Sequence, residues 1–399
     1  MFRRLYCYCL LGLALPACES RRPAAGPAEA PTAAPAPVRT AVADTALPFA
    51  SLHAPLDSAG GLPVVRIDGQ PYRVRSSARP DRTRRLMRPA SAVLESTDST
   101  GNITRTPDPA LDSLNEANGY GYDAEYTVQL LGPGGRPRFT ASVRKTDFAA
   151  SMGGLQHVAE STVGPPTLLG YLPQFHALAF DVSFYLEGTD DGGEALLLLD
   201  ARTGKVRGIT EHYYYESAES PDALTPDGRT LLLGAEIWHA DGRRVRLDRP
   251  RQAVAGTLLL NEQTALVVYE DGYDPVKQVN LPVRGANAHL IDLQGRELGA
   301  FAFHGTTGAI GYSLNYAYLA QTRTHYLFDN TNGTVHLLPR DAPKQHRQLA
   351  LARLPKFQPP QRPAEVRFTI DSEAGGPLTL YADTVTGALR YRLPDFSGE

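Results

Sequence analysis

Two acidic turns, "TDDGGE" and "YEDGYDP", gather carboxylates closely enough to hold a hard cation: Asp190, Asp191 and Glu194 in the first, Glu270, Asp271 and Asp274 in the second. Neither has the spacing of an EF-hand loop, and a solvated Asp-Gly turn between strands is the plainer reading. Ten histidines are spread from His53 to His346 without an HExxH pair, and no cysteine accompanies them. No zinc ligand set of ordinary spacing is present, and no metal or other cofactor is expected. In "GYSLN", Gly311 to Asn315, Ser313 lies near the setting of a nucleophile elbow, but Asn315 replaces the closing glycine and the context is strand-to-strand. No glycine-rich phosphate loop precedes a helix. No catalytic residue is assigned on these grounds, and the chain is expected not to be an enzyme.

Recognition chemistry is better represented. In "EHYYYES", Tyr213 and Tyr215 share one face of a strand and Tyr214 takes the other, so all three cannot enter one core. They are the candidate partner-binding residues, since tyrosine at an exposed rim offers a broad amphipathic contact to protein or glycan. Tyrosines packed between sheets would read the same way. "RVRSSARPDRTRRLMR" crowds Arg73, Arg75, Arg79, Arg82, Arg84, Arg85 and Arg88, a set able to meet anionic groups bidentately, although a long exposed loop is the plainer expectation. The net charge of −3 gives no reason to expect nucleic acid as a partner.

The elements that must position these groups are strands. "EYTVQLL" alternates Tyr126, Val128 and Leu130 with Thr127 and Gln129, and "EVRFTIDS" alternates Val366, Phe368 and Ile370 with Arg367 and Thr369. Only "DPALDSLNEANG" (108–119) and "QHRQLALARL" (345–354) read as helices. Five times a strand ends in a polar turn with glycine and starts again, at Gly204, Gly242, Gly295, Gly333 and Gly387, with separations of 38, 53, 38 and 54. Weaker copies stand at Gly69 and Gly135. Glycine is expected at each turn because the chain reverses there through positive φ, so each copy is a hairpin. Two more strands fit between hairpins, and four antiparallel strands per ~40–50 residues is the unit of a β-propeller blade. "TPDGRTLLLGAEIWHADGRRV" resembles a blade of the WD40-like or TolB-like bacterial propellers, and that resemblance implies an all-β propeller of about five to seven four-stranded antiparallel blades. A β-sandwich joined to a smaller propeller is the competing architecture. Trp238 is expected in a core between blades.

All three cysteines, Cys7, Cys9 and Cys18, lie in "LYCYCLLGLALPACESRR". Arg3 and Arg4 precede an apolar run from Leu5 to Ala17, which is the pattern of a secretion signal and too short for a membrane span. "LPAC" resembles the lipobox of bacterial lipoproteins, which implies cleavage before Cys18 and lipid attachment to its thiol. One remaining thiol, carrying lipid, allows no disulfide within the chain, so stability has to come from core burial. Residues 19 to about 45 are rich in Pro and Ala and read as an extended tether. The expected organisation is a signal peptide at 1–17, a tether at 18–45, an irregular β segment or degenerate first blade at 46–120, and a propeller-like domain at 121–399. The expected function is a non-enzymatic, exported envelope lipoprotein, anchored in the outer membrane by its lipid, whose body binds a protein, peptide or glycan. A propeller hydrolase or lyase acting on an envelope polymer is the alternative, because propeller sites assemble from distant segments.

Overall fold

A computed structural model of the chain describes residues 42–47, 49–52, 56–87, 93–97, 101–185, 192–212, 223–249, 252–274, 279–281, 285–308, 311–370 and 376–393. They form an all-β body of six antiparallel sheets following one another along the chain, with two two-stranded ribbons, Val93–Thr97 with Ile103–Pro107 and Thr306–Gly308 with Gly311–Ser313. Sheet one contains Ser58–Ala59, Leu62–Ile67, Gln70–Arg85, Tyr122–Leu131 and Pro137–Arg144. Sheet two contains Thr167–Leu172, Ala177–Tyr185, Gly192–Asp200 and Val206–His212. Sheet three contains Ala223–Leu224, Thr230–Leu232, Glu236–His239 and Arg244–Arg246, with Ala50–Ser51 added at the free edge of its first strand. Sheet four contains Gln252–Leu259, Thr264–Asp274, Ala288–Asp292 and Glu297–Phe301. Sheet five contains Tyr316–Leu319, Thr324–Asp329, Thr334–Pro339 and Arg347–Ala350; sheet six contains Glu365–Ile370, Leu378–Asp383 and Leu389–Arg392. The boundary expected at residue 120 falls between two strands of sheet one, which pair from Arg73 with Leu131 to Arg85 with Tyr122.

Each sheet packs on the next. Leu197 and Leu199 of sheet two face the core shared with sheet one, and their neighbours Leu196 and Leu198 face the core shared with sheet three. Sheet four repeats this, with Ala265 and Val267 toward sheet three and Leu266 and Val268 toward sheet five. A strand covered on both faces is apolar at every position; one covered on a single face alternates. Sheets one and six alternate. Tyr126, Val128 and Leu130 are buried beneath an outer face carrying Thr127 and Gln129, and Val366, Phe368 and Ile370 beneath Arg367 and Thr369. Among the described residues, no apolar core joins sheet six to sheet one.

The hairpin glycines at 69, 135, 204, 242, 295, 333 and 387 all lie at positive φ, as the turns require. A further repeat holds the sheets to one plan: the residue after the third strand donates its N–H to the carbonyl that precedes the second strand. The pairs are Ala201 to His176, Ala240 to Arg229, Leu293 to Gln263 and Arg340 to Arg323, and Thr384 to Ala364 in sheet six, whose three strands correspond to the second, third and fourth of the others, at 2.8–3.2 Å. On this plan Gly204, Gly242, Gly295 and Gly387 join third to fourth strands, whereas Gly333 joins the second and third strands of sheet five. The apparent 38 and 54 separations around Gly333 therefore compare unlike turns. "TPDG" introduces the second strand of sheet three as expected, with Thr225 Oγ1 donating to Asp227 Oδ1 at 2.7 Å and Gly228 at φ 70°.

Two expectations need correction. Residues 345–354 are not a helix: Arg347–Ala350 is the outer strand of sheet five, held to Thr334–Leu337 by its ladder, with short 3₁₀ turns on either side. Strand pairing outweighed the local helix propensity of the Leu-Ala run. The arginine-rich stretch is not a loop, because Gln70–Arg85 is a continuous strand of sixteen residues. The helix expected at 108–119 is present as Pro109–Ala117, capped by Asp108, whose carboxylate accepts from the Ala110 and Leu111 N–H groups.

The segment 42–52 straps the body. Gln321 Nε2 donates to the Val42 carbonyl at 2.8 Å, the Asp44 N–H donates to Gln321 Oε1 at 3.2 Å, and the Ala320 N–H donates to the Asp44 carbonyl at 2.9 Å. Ala43 packs on the core between sheets five and six, Phe49 on that between three and four, and Leu52 on that between two and three.

Trp238 is buried between sheets two and three, as expected, with the Arg244 guanidinium 3.9 Å above its ring. A Cβ on Gly208 would stand 2.5 Å from that ring and 2.2 Å from the guanidinium. Gly208→Ala is expected to lower stability by about 1–3 kcal/mol in chemical denaturation, since the indole is confined and overpacking of this kind costs that much.

Buried histidines give the fold a pH dependence. His325 Nε2 donates to the Leu260 carbonyl at 2.9 Å across the seam between sheets five and four, and its Nδ1 has no hydrogen-bond partner among the described residues. Burial lowers its pKa to about 4, which the Leu260 bond opposes and nearby Arg340 reinforces. The unfolded chain therefore binds a proton below about pH 6.5 that the folded chain refuses until about pH 4. Stability contributed by this neutral imidazole falls as pH drops through that window, by about 2 kcal/mol at pH 5. Denaturant midpoints measured from pH 8 to pH 4.5 are expected to fall, and more shallowly in His325→Gln, which keeps a donor for Leu260.

Candidate functional site

Turns of sheets one and two meet around a cleft of about 480 Å³. It opens at the end of the sheets that carries the turns after Ile67 and Leu131 in sheet one and after Leu172 and Asp200 in sheet two. From sheet one come Asp68, in the turn before Gln70–Arg85, and Arg138, at the start of Pro137–Arg144. Sheet two supplies Tyr171, His176, and the Asp200–Thr203 turn with Arg207 beyond it.

Two of these residues hold strained backbone. Asp68 has φ 51° and His176 has φ 47°, in the left-handed region that side chains rarely enter. His176 occupies the turn position that Gly228 takes in sheet three and Arg323, at φ 49°, takes in sheet five. A residue with a Cβ at that position aims an imidazole into the cleft where glycine would leave space.

Asp200 organises the floor. Its Oδ1 accepts the N–H groups of Arg202 and Thr203 and the Thr203 hydroxyl at 2.8–3.1 Å, and its Oδ2 accepts Arg207 Nε and Nη2 at 3.0 and 2.7 Å. Burial works to raise its pKa, but the Arg207 guanidinium and the Thr203 groups overcome this and hold the carboxyl well below the usual range. The Tyr171 phenol is shifted upward, first by burial and then by the negative field of Asp68, with Arg138 opposing. The Arg138 guanidinium sits 5.3 Å from the Tyr72 ring centroid, a cation–π contact that fixes its direction. The cleft thus offers two carboxylates, three guanidiniums, an imidazole and a phenol. Such a lining can bind a polar ligand of mixed charge through bidentate and hydroxyl contacts.

The residues singled out from sequence are elsewhere. Tyr213, Tyr214, Tyr215, Cys18, Asp190 and Asp191 lie outside the described residues. Glu194 is buried on sheet two and accepts from the Tyr185 hydroxyl at 3.4 Å. Glu270 lies on the second strand of sheet four, and Ser313 in a two-stranded ribbon. Among the described residues no three His, Cys, Asp or Glu side chains gather as metal ligands would. Two buried groups had no sequence signal. Lys145 donates to the Ser161 carbonyl at 2.6 Å, its pKa lowered to about 8 by burial against the pull of Asp123. His336 and His346 are joined at 2.9 Å under the Phe301 ring, with burial lowering both.

No family model and no curated protein matches the sequence. Among solved structures, the periplasmic gluconolactonase of Pseudomonas aeruginosa is similar at 10% identity and a TM-score of 0.32, over 83% of this chain and 84% of that one. A puromycin hydrolase is similar at 15% identity and a TM-score of 0.27, over 90% of this chain and 57% of that one. BamB from Moraxella catarrhalis is similar at 13% identity and a TM-score of 0.21, over 79% of this chain and 87% of that one. Likenesses this distant assign no activity. Enzymes are among them, however, and the expectation that this chain is not an enzyme is withdrawn on that ground, with no enzymatic role established in its place. The inference had rested on missing local motifs, which a site assembled across sheets does not need.

Asp200→Asn keeps an oxygen for the turn N–H groups and loses the paired charge with Arg207. It is expected to lower stability at pH 7 by about 1 kcal/mol, screening by solvent included. The difference from the unaltered chain should begin to shrink below about pH 4, where the unfolded aspartate takes up a proton that the folded one still refuses. Denaturation of both chains at pH 7 and at pH 3 checks this.

Proposed function

We propose that this chain is an exported envelope protein, held to the membrane by lipid on Cys18, whose body binds a peptide segment in the cleft between sheets one and two. The convergence of Asp68 and Asp200 with Arg138, Arg202 and Arg207 around Tyr171 carries the reading. Both signs of charge within one cleft suit a ligand carrying both, as a short peptide with free ends does, and 480 Å³ admits a few residues of one. The six sheets are taken as blades of a propeller, within the five to seven expected. Support comes from their antiparallel meanders of three to five strands, their packing in chain order, and the strap along sheet three's first strand. An outer-membrane location rests on the lipobox-like "LPAC" and the Pro- and Ala-rich stretch after it. No helix among the described residues is long and apolar enough to cross a membrane.

Two measurements test this reading. Cells expressing the full chain and fed labelled palmitate are expected to label the protein, and Cys18→Ser should abolish the label. Calorimetric titration with a tripeptide library is expected to find ligands whose affinity drops tenfold or more in Arg138→Met, with folding unchanged. Ligands that bind Arg138→Met as well as the unaltered chain would place recognition elsewhere.

A further inference from the structure

Sheet one turns its second face to solvent, and that face carries a line of unpaired guanidiniums. Arg73, Arg75 and Arg79 stand on the same side of Gln70–Arg85, about 6.7 Å apart per two residues, so that Arg73 and Arg79 are separated by about 20 Å along the strand. Arg66 extends the line on the adjacent strand, where it pairs opposite Pro71 while Val64 pairs opposite Arg73. Arg66, Arg75 and Arg79 are exposed and Arg73 is half-buried. No salt bridge among the described residues reaches any of the four. Of the carboxylates nearby, Asp123 pairs with Arg84 at 3.0 Å and Arg144 at 3.2 Å and Asp81 with Arg144 at 3.4 Å, while Glu125, opposite Arg79, accepts the Ser142 hydroxyl and leaves one negative charge beside the four arginines.

Between and beside the arginines lie hydrogen-bonding groups, Ser77 on the same strand and Thr127 and Gln129 on the next. The face is polar and presents no exposed large apolar side chain to insert into lipid. Sheet six cannot neutralise it, since its own outer face presents Arg367 and Arg392. A row of like charges on a strand, flanked by hydroxyls and an amide, is complementary to a linear chain that repeats both carboxylates or sulfates and hydroxyls.

We propose that the outer face of sheet one is a docking surface for an anionic polysaccharide. The polymer lies along Gln70–Arg85 and meets Arg66, Arg73, Arg75 and Arg79 in succession, on the side of the sheet opposite the cleft core. This surface is independent of the peptide cleft, so either can fail alone.

The test uses the full chain, with heparin and alginate as soluble polyanionic glycans. The unaltered protein is expected to bind both, with affinity falling at least tenfold between 50 and 300 mM salt. Arg66→Gln, Arg75→Gln and Arg79→Gln together should reduce affinity tenfold or more while the melting temperature stays within about 2 °C, since exposed substitutions change stability little. Lysine at the same three positions should recover part of the binding, and Arg202→Gln in the cleft should leave it intact. Equal binding by the triple glutamine variant overturns the proposal, as does absence of binding to both glycans. Capture by phosphatidylglycerol vesicles without retention of either glycan also overturns it, in favour of a lipid surface.

Discussion

A β-sheet has two faces, and each must be either covered or polar. Among the described residues, four sheets share apolar cores on both faces and two on one. That difference decides the composition of every strand: sheets two and four run Leu and Val without a break because both neighbours demand apolar surface, while the outermost sheets alternate. It also decides where chemistry can sit. The interior sheets expose only their turns, and the end sheets expose turns and one whole face. The cleft is made of turns, and the arginine row occupies a face.

Part of this was legible in the sequence. The glycine turns were read correctly as hairpins because a two-stranded reversal makes a local demand on φ that only a few residues meet. Their register was not, because Gly333 satisfies the same local demand at a different place in its sheet. The signal that separates them is the hydrogen bond from the third strand's end to the second strand's beginning, which links residues 11 to 30 apart and leaves no mark on composition. A second signal was present and unused. The alternating stretches "EYTVQLL" and "EVRFTIDS" belong to the two end sheets, whereas the continuous "ALLLLD" and "ALVVY" belong to sheets covered on both sides. Continuous or alternating pattern therefore gives a sheet's place in the stack.

The cleft was not legible, for a physical reason. Asp68 and Asp200 are 132 positions apart, and each alone reads as an ordinary acidic turn residue. What makes them a site is the packing of sheet one on sheet two through Tyr126, Phe148 and Phe184, whose rings meet at 5.1–6.4 Å. His176 carried a faint clue, since it stands in a turn where another sheet uses glycine, and a residue that tolerates positive φ at some cost is often there for its side chain. Reading it required knowing that the two turns are equivalent, which only the fold reveals.

With no apolar core among the described residues joining sheet six to sheet one, cohesion along the series of sheets needs another contribution. The strap is placed to supply it. Over Val42 to Leu52 it touches the cores between sheets five and six, three and four, and two and three, and it adds a strand to sheet three. The strap thus touches five of the six sheets through Ala43, Phe49, Leu52 and the Ala50–Ser51 strand, and its bonds to Ala320 and Gln321 fasten it at sheet five. The sheet left out is the first, which is instead fastened to sheet two by the largest aromatic cluster of the body. With cohesion provided by the strap and by that cluster, neither end sheet has to bury its outer face against the other. Both outer faces are then free to be polar, and a row of arginines that packing against a further apolar sheet would not tolerate can stand on sheet one at little cost.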